Sequence, residues 1–585
     1  MNLKAKNMNR GYFIGMVVLA SLLMSCEKDY LGRPPKDQVA VEFFFNTATD
    51  LEVATNDFYT MLPTTGTYTD DSSSDNIVPL TPADRVRGGR IVPTNRGGGG
   101  WNWSALRDIN FFLENYRRVD DEAAKAKFSG IARFFRAYFY FDKVVQFGDV
   151  PWYGKVLEAG DEQLYKPREP RELVMDSIIA DIDYAIENIP AEVQLNRVTG
   201  YTTLLLKARI SLFEGTFRKY HGLNGHERFL NEAVEASEKL MNSGAYSLFT
   251  GGGPESAYRE LFARSDQDAT ETILARDFDK DLERHNLGYL MTAPTMGGWG
   301  MTKDALNSYL KADGSRFTDQ ADYATQEFYK EMQNRDPRLT QTTAGPDFKV
   351  YGESGLEPVT LNSSTTGYRI IKALPLRDMW SSSYFDVIIF RYAEALLIYA
   401  EAKAELGSLT QQDLDVSINL LRDRVGMPHL EMTAANANPD PYLEYLYPNV
   451  DQGPNKGVIL EIRRERRIEM FNEGLRWQDL MRWKEGKKVE QPMLGIYFSR
   501  LGAHDFNNDG TPDVYLHEGD PSGAPSGVTS LINVLQRPLT NGNSGNLDPF
   551  PNGGFFDENR DYFYPLPIED LQLNENLEQN PGWEQ

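Results

Sequence analysis

The single cysteine of the chain, Cys26, is the feature that most restricts how this sequence can fold. It follows the cations Lys4, Lys6 and Arg10 and an apolar run over residues 12–24. Basic residues followed by a short apolar stretch are typical of an export signal, and this stretch is too short to span a bilayer in the mature protein. A mature chain whose only thiol is lipidated has no internal disulfide, no cysteine-ligated zinc and no cysteine nucleophile.

The residues around Cys26 predict that a lipid is attached there. Leu23-Met24-Ser25-Cys26 has the form of a bacterial lipobox and differs from the usual small-residue cleavage site. We therefore predict that residues 1–25 are a lipoprotein signal peptide and that Cys26 is lipidated. Several acyl chains on one terminus anchor a protein stably, whereas one chain is marginal. The alternative is an ordinary secretory signal with an incidental cysteine.

Composition and charge exclude several classes of protein. The 585 residues include 41% hydrophobic and 25% charged residues, which is ordinary for a soluble globular protein. At roughly 150 residues per domain, this length suggests three or four domains. The formal net charge of −24 becomes −27 without residues 1–25, which carry three cations and no acid. Such an acidic surface repels phosphate backbones and argues against a nucleic-acid partner.

Helical periodicity begins near residue 127, whereas residues 26–126 and the chain after about residue 485 are rich in loop-forming residues. Seven segments are predicted to be helices: 131–147, 171–189, 202–217, 228–241, 387–406, 413–425 and 458–471. Two glycine-rich stretches, 251–253 and 297–300, bracket a region without a clear assignment. Consecutive helix pairs favour tetratricopeptide-like stacking, although no strict repeat is visible.

The predicted helix 387–406 carries its charges on one edge. At 100° per residue, Arg391, Glu394, Glu401 and Glu405 fall within a narrow arc, and nearly all other positions are apolar. The helix must be almost wholly buried. Its charged edge is either the one solvated strip or a buried seam of ion pairs.

The predicted helix 458–471 repeats a glutamate every four residues, at Glu461, Glu465 and Glu469. Like charges at this spacing disfavour an isolated helix by about 0.2 to 0.5 kcal/mol per pair, so we expect cations from elsewhere in the chain to face them. The same helix contains the basic run 463–467. Because glutamates are interleaved with its arginines, a salt-bridge lattice is favoured over nucleic-acid binding.

Four sequence blocks together carry a family resemblance. They are CEKDYL at 26–31, FRYAEALL at 390–397, RRERRIEMFNEGLRWQDLMRWK at 463–484, and the tail with YPLP at 564–567 and QNPG at 579–582. In this order, behind a lipobox, they resemble the SusD/RagB-like outer-membrane lipoproteins over most of the mature chain.

The resemblance implies a mainly α SusD-like fold with four tetratricopeptide-like helix pairs and an irregular, loop-rich ligand-binding half. Residues 26–585 would then form a single domain whose helix-pair core lies mainly in 127–245 and 385–485. The resemblance also implies a protein anchored in the outer membrane and facing the cell exterior, as a lid over a SusC-like TonB-dependent transporter. Such proteins capture oligosaccharides, or peptides in one branch, require no cofactor and perform no chemistry on their ligands.

Four of the eight tryptophans lie in Gly- and Ser-rich loops outside the family blocks. Trp101 and Trp103 follow four glycines, and Trp299 and Trp380 lie in two further loops. Binding residues concentrate on loops, and a flat indole can stack on the apolar face of a sugar. We therefore predict that some of these rings form a glycan platform. The alternative is that each ring fills a local hydrophobic core.

Charged loop residues precede these tryptophans. The carboxylates of Asp70, Asp71 and Asp75 can accept hydrogen bonds from sugar hydroxyls. Arg85 has a guanidinium fork that suits the carboxylate or sulfate of an acidic sugar. Three further arginines follow it, Arg87, Arg90 and Arg96. A solvated loop face is the alternative for all of them, and the choice between a neutral and a charged glycan stays open.

Residues 505–513, with the sequence DFNNDGTPD, follow the pattern of a calcium-binding loop. The candidate ligands are the side chains of Asp505, Asn507, Asp509 and Asp513 and the carbonyl of Thr511. Gly510 stands where the sharp turn is needed, but position 12 holds Leu516 in place of the usual glutamate. The loop therefore predicts possible Ca²⁺ binding, and a plain Asn/Asp-Gly turn is the alternative.

An enzyme is the remaining rival, most reasonably a glycoside hydrolase that works with two carboxylates. The sequence contains no H-E-x-x-H, no G-x-S-x-G and no phosphate loop, and its six histidines show no metal-ligand spacing. We therefore predict a protein that binds its ligand without catalysis. A peptide-capturing member of the same family is the second alternative.

Overall fold

The computed structural model describes residues 44–584, so Cys26 and the predicted signal peptide lie outside the described residues. Helices dominate the described chain. Those of six or more residues are α1 (Ala48–Asn56), α2 (Ser104–Asn115), α3 (Glu122–Phe147), α4 (Arg171–Asn188), α5 (Gly200–His221), α6 (His226–Asn242), α7 (Ala257–Ala263), α8 (Leu287–Thr292), α9 (Tyr392–Glu405), α10 (Ile418–Arg424), α11 (Met432–Ala437), α12 (Pro441–Leu446), α13 (Lys456–Glu469), α14 (Arg476–Arg482) and α15 (Ile568–Leu573).

Side-chain caps explain where the long helices begin. The side chain of Asp121 accepts the backbone N–H of Ala124 at the start of α3. Thr199 and Thr202 form a reciprocal capping box at the start of α5. Both arrangements satisfy backbone N–H groups that have no partner inside the helix. Four predicted helices, 131–147, 171–189, 202–217 and 228–241, are confirmed as α3 to α6.

These helices pack in consecutive pairs, α3 against α4 and α5 against α6, and α9 crosses α6 and α13. The α5–α6 contact is close because Gly215 lies at it. A Cβ atom added to Gly215 would lie 2.8 Å from the side chain of Leu230 on α6. The helices bury a first hydrophobic core that extends over α1 to α6, α9 and α13.

Within residues 44–584, nine short strands lie between and after the helices. They are β1 (Ile77–Val78), β2 (Thr272–Arg276), β3 (Gly300–Met301), β4 (Val387–Arg391), β5 (Tyr497–Phe498), β6 (Gly502–His504), β7 (Val514–His517), β8 (Ser530–Asn533) and β9 (Gly545–Asn546). The antiparallel pairs are β1 with β3, β2 with β4 and β5 with β9, and β6-β7-β8 form a mixed sheet. With the loops around them, the strands bury a second hydrophobic core.

The predicted helix 387–406 is wrong at its beginning. Val387–Arg391 is strand β4, paired with β2, and the helix begins only at Tyr392. The run Val-Ile-Ile-Phe is rich in β-branched and aromatic side chains, which fit a buried strand as well as a buried helix. The partner strand, more than a hundred residues earlier, decides between them.

Three other expectations also need correction. Residues 26–126 are not wholly irregular, because α1 and α2 lie in the described part of this region. The predicted helix 413–425 is two short helices, since Gln411–Asp415 ends before Ser417 and α10 follows. The C-terminal part contains the β6-β7-β8 sheet as well as loops.

Within residues 44–584, no helix has the length and apolar character required to cross a membrane.

The charged edge of the helix beginning at Tyr392 is a buried seam of ion pairs, and not a solvated strip. Glu394, Glu401 and Glu405 are buried, and so is Arg391 at the preceding strand end. Their partners are Arg209 for Glu394, Arg482 for Glu401, Lys219 for Glu405, and Glu271, Glu469 and Glu473 for Arg391. The buried alternative is thus confirmed.

Cations do face the glutamates of α13, as expected. Glu465 pairs with Arg338 at 2.5 Å and with Arg422 at 3.1 Å. Glu469 pairs with Arg424 at 2.6 Å and also with Arg338 and Arg391. The arginines of 463–467 are all buried, so this run belongs to the interior lattice and offers no basic surface.

Candidate ligand-binding site

A cavity of about 650 Å³ lies between three segments of the chain, 96–110, 151–165 and 570–577. Its wall combines aromatic rings with amide side chains. The residues that matter below are Trp101, Trp103, Asn102, Tyr153, Tyr165 and Asn574. A concave, mostly apolar space with a few polar groups is the usual form of a small-ligand site.

The glycine run before Trp101 turns the chain into the wall of this cavity. Gly100 has φ +95, and a Cβ atom there would lie 2.5 Å from the side-chain oxygen of Gln146. Only glycine fits such a close approach in this conformation. Trp101 then packs edge-on against Phe147, with ring centroids 4.9 Å apart.

The two tryptophans of this segment have different positions. Trp101 is only 3% exposed and belongs to the first core. Trp103 is half-buried and lines the cavity, and its ring lies 5.2 Å from that of Trp101 and 5.5 Å from that of Tyr153, edge-to-face in both cases. Trp103 therefore presents more of its ring to the cavity than the nearly buried Trp101, which packs against it.

Hydrogen bonds fix the other two walls. The amide of Asn110 donates to the carbonyl of Tyr153 at 2.9 Å, and the Tyr153 N–H donates to the hydroxyl of Tyr140 at 2.6 Å. Asn574 donates to the carbonyl of Lys166 at 3.0 Å and so ties the C-terminal segment to the 151–165 segment. The cavity is thus preformed by contacts within the chain.

Sequence patterns did not indicate that residues 151–165 and 570–577 form the other two walls of the cavity. Trp152 and Tyr153 follow Pro151, and Tyr165 has no motif around it. The segment 570–577 lies more than four hundred residues away in the chain. Because only folding brings these segments together, the aromatic pair at 152–153 was the one local signal for the second wall, as Trp101 and Trp103 were for the first.

The four predicted tryptophans do not form one platform. Trp299 is 6% exposed and is buried in the second core, whereas Trp101 belongs to the first. Trp380 is half-buried and donates its indole N–H to the carbonyl of Pro375 at 3.1 Å. Core filling, the alternative named above, is correct for Trp299, because the irregular half has a hydrophobic core of its own. Trp101 is buried in the first core and also forms part of the cavity wall.

The predicted carboxylates serve the interior of the protein. Asp71 is buried and accepts backbone N–H groups of Asn472 at 2.7 Å and Arg476 at 3.2 Å. Burial, followed by the nearby charge of Asp70, raises the pKa of Asp71 to about 7. Asp75 is buried between the guanidinium groups of Arg476 and Arg467, at 2.7 and 3.1 Å. Contact of these two side chains with a ligand is therefore contradicted.

Arg85 and Asp70 also have partners within the chain. They form a salt bridge of 2.9 Å, and the guanidinium of Arg85 lies 4.6 Å from the ring centroid of Trp477. Arg85 also donates to the carbonyl of Ser73 at 2.9 Å. These contacts hold the loop at 70–85 against α14, which explains the charged residues without a ligand.

The predicted calcium loop connects β6 to β7, which pair as antiparallel strands. Its side-chain oxygens accept backbone N–H groups of the loop: Asp505 from Asn508 and Gly510, Asn507 from Asp509, Asp509 from Thr511, and Asp513 from Phe506. In residues 44–584, no group of three or more His, Cys, Asp or Glu side chains is arranged to hold a metal ion. Calcium binding here stays a prediction.

Comparison with known proteins identifies the family. The SusD family model matches residues 264–583, which is more than half of the chain. The chain belongs to the SusD family. SusD-like protein P2 of Formosa agariphila is 24% identical over 616 residues, which cover 98% of this chain and 99% of P2. SusD-like protein P38 of the same organism is 24% identical over 526 residues, with 85% of this chain and 95% of P38 covered.

Solved structures show that the SusD-like fold extends over nearly the whole chain. A SusD-like protein of Bacteroides fragilis superposes with a TM-score of 0.69 at 21% identity, covering 94% of this chain and all of that one. A SusD-like carbohydrate-binding protein of the same organism has a TM-score of 0.65 at 20% identity and covers 92% of this chain. The predicted family and the mainly α SusD-like fold class are confirmed.

Proposed function

We propose that this SusD family member is a cell-surface lipoprotein that captures oligosaccharides and delivers them to a SusC-like TonB-dependent transporter in the outer membrane. Membership of a family that includes a carbohydrate-binding protein gives the class of ligand. The observation that carries the proposal is the preformed cavity of about 650 Å³ in which the half-buried ring of Trp103 stands beside Tyr153.

The chemistry of the cavity suits a sugar. Indole and phenol rings can contact the apolar face of a pyranose, and their polar edges remain available for hydroxyl groups. Asn102 accepts from the N–H of Ser104 with its oxygen, so its amide nitrogen is left to donate to a ligand. Contacts of this kind hold a ligand reversibly and change no covalent bond, as a protein that passes its cargo on requires.

The place of the protein in the cell rests on the sequence. Lipidation at Cys26 would anchor the chain in the outer membrane, and the SusD resemblance supports a position over a transporter. Replacing the cysteine (Cys26→Ala) should move the protein from the membrane pellet to the soluble fraction. Copurification with a SusC-like barrel from solubilised membranes tests the proposed partner. If no such barrel is present in the complex purified at native expression, the proposed partner is contradicted.

Affinity electrophoresis in a panel of polysaccharide gels tests the capture of glycans. Retardation in at least one gel is expected, and Trp103→Ala should abolish it while the protein remains folded. Tyr445→Ala, which removes an exposed ring elsewhere, is the matched control and should bind as wild type does. Equal retardation of all three proteins contradicts the site. Release of reducing ends would indicate a hydrolase, and binding of peptides alone would indicate a peptide-capturing member.

A further inference from the structure

Two arginines that pack beside the second core form no ion pair with a carboxylate in the described part of the chain, unlike most of its buried cations. Arg369 is 5% exposed and Arg259 is half-buried. Among residues 44–584, no carboxylate oxygen forms an ion pair with either guanidinium, and the buried Nε of both and Nη2 of Arg259 have no hydrogen-bond partner. Arg259 uses Nη1 to donate to the carbonyl of Lys349 at 2.9 Å.

The two side chains lie close to each other on the same aromatic ring. The guanidinium carbons of Arg259 and Arg369 are 5.1 and 5.7 Å from the ring centroid of Phe348. Burial, followed by the charge of Arg369, lowers the pKa of Arg259 to about 10. The pair thus concentrates positive charge that forms no direct ion pair among residues 44–584, with Glu357 near Arg369 and Glu260 near Arg259 as the acids that act on it at longer range.

Other buried arginines show how unusual this pair is. Arg335 and Arg537 also lack ion pairs, but each donates to several backbone carbonyls. The neighbouring acids are already bound, because Arg377 holds Glu353 at 2.7 Å and Glu357 at 2.6 Å. Charged donors that have no partner are costly to bury, so a site of this kind is stabilised by an anion.

A small cleft leads to Arg369, the more buried member of the pair. It has a volume of about 10 Å³ and is lined by Arg369, Phe348, Gly345, Thr360 and the carboxylate-bearing Glu357. This is room for one water-sized group. One terminal oxygen of a carboxylate or sulfate has that size, and the rest of such a ligand would remain outside. The half-buried ring of Trp380 lies beside the site, 5.4 Å from the guanidinium of Arg369.

We propose that Arg259 and Arg369 form an anion-binding site that takes the carboxylate or sulfate group of an acidic oligosaccharide, with the ring of Trp380 beside the sugar that carries it. The inference rests on the proposed function and names its ligand class. It places a second contact on the irregular half, separate from the cavity at Trp103.

The binding test compares three probes: oligogalacturonate, a neutral oligosaccharide of the same length, and inorganic sulfate. Isothermal titration at constant ionic strength should show tighter binding of oligogalacturonate than of the neutral sugar. Arg369→Met and Arg259→Met should each weaken that binding about 10- to 100-fold, because a charged hydrogen bond contributes about 1.5 to 3 kcal/mol. Arg264→Met removes a nearby charge that pairs with Asp268, and it should bind as wild type does.

A second measurement keeps the test decisive if a variant binds poorly for structural reasons. Without ligand, Arg369→Met should raise the melting temperature, because it removes an uncompensated buried charge and keeps the apolar contact with Phe348. An arginine that is only structural predicts a lower melting temperature. A lower melting temperature together with unchanged relative affinity for the acidic sugar overturns the proposal.

Three further outcomes would each contradict a different part of the proposal. Binding of inorganic sulfate without any preference for oligogalacturonate over the neutral sugar overturns the glycan assignment. Equal binding of acidic and neutral sugars by every variant overturns the anion site but leaves the proposed function in place. Binding of neither sugar, with retardation absent in all polysaccharide gels, contradicts the proposed function itself.

Discussion

Arg391 donates from Nη1 to a carboxylate oxygen of Glu469 at 2.7 Å, and both side chains are buried. Arg391 ends strand β4 and Glu469 ends helix α13, so this pair joins the two family blocks that stand out in the sequence. Glu271 and Glu473 complete the contacts of Arg391. The interior of this protein is therefore held by a network of compensated charges as well as by apolar packing.

Removing one member of this network should destabilise the fold strongly. Burial by itself would raise the pKa of Glu469, but Arg424, Arg391 and Arg338 hold it well below its ordinary value, so the group is ionised. Glu469→Gln leaves three buried guanidinium groups undercompensated. We expect a loss of about 3 to 5 kcal/mol in the free energy of unfolding, measured by urea denaturation. The exposed pair of Arg228 and Asp176 is the control, and Arg228→Ala should cost about 1 kcal/mol or less. Similar losses for both variants would contradict this view of the interior.

Asp71 should make the stability depend on pH. Its pKa of about 7 in the folded chain lies above the value of about 3.9 expected in the unfolded chain. A carboxyl whose pKa is higher in the folded chain than in the unfolded chain contributes stability that is fully present below the unfolded pKa. This contribution is lost as the pH rises from about 4 to about 7. Asp71→Asn should therefore gain stability relative to wild type over that interval, as measured by urea denaturation at several pH values.

Asp50 is the control with the opposite sign. Backbone N–H groups of Asn46 and Thr47 lower its pKa, so its contribution is present above the unfolded pKa and is lost as the pH falls. Asp50→Asn should lose stability relative to wild type as the pH rises past the ordinary pKa of an aspartate carboxyl. A flat difference for Asp71→Asn between pH 4 and 7 would show that this carboxyl is not perturbed by burial.

Substitutions at Trp299 and Trp103 should separate an effect on protein stability from an effect on glycan binding. Trp299 is buried in the second core, so Trp299→Ala should cost about 3 to 5 kcal/mol of unfolding free energy. Trp103 keeps part of its ring exposed, so Trp103→Ala should cost less and act mainly on glycan retention. Thermal melting and affinity electrophoresis of both variants give the comparison. A Trp299→Ala variant with a normal melting temperature and lost binding would return Trp299 to the ligand site.

Calcium binding at 505–513 is tested by thermal melting in chelator and in millimolar Ca²⁺. If the loop holds the ion, Ca²⁺ raises the melting temperature of the wild type and not that of Asp509→Ala. Asp520, which caps the N–H of Ser522 in a nearby turn, supplies the matched control Asp520→Ala. This variant should keep the full calcium response. An identical melting temperature with and without Ca²⁺ in the wild type leaves the Asn/Asp-Gly turn as the explanation.

Local patterns predicted much of the helical half. The four helices α3 to α6 follow from apolar periodicity and from capping residues such as Thr199, which are local properties of the chain. For the charged edge of the predicted helix 387–406, the sequence left a solvated strip and a buried seam as alternatives. Spacing did predict cations opposite α13, because its glutamates four residues apart require them from elsewhere. The identity of those cations did not follow, since Arg338 and Arg424 come from distant segments.

The candidate site depended on tertiary structure. An indole in a glycine-rich loop looks the same in the sequence whether it lines a cavity, as Trp103 does, or fills a core, as Trp299 does. The cavity exists because segments hundreds of residues apart meet, and Arg259 and Arg369 stay without an ion pair because no carboxylate among residues 44–584 comes within reach of either guanidinium. The sequence by itself determined the family and the helices α3 to α6, since these depend on neighbouring residues, and it predicts the export signal. Folding alone decided which rings and charges remain without a partner, because burial and compensation are properties of the packed chain.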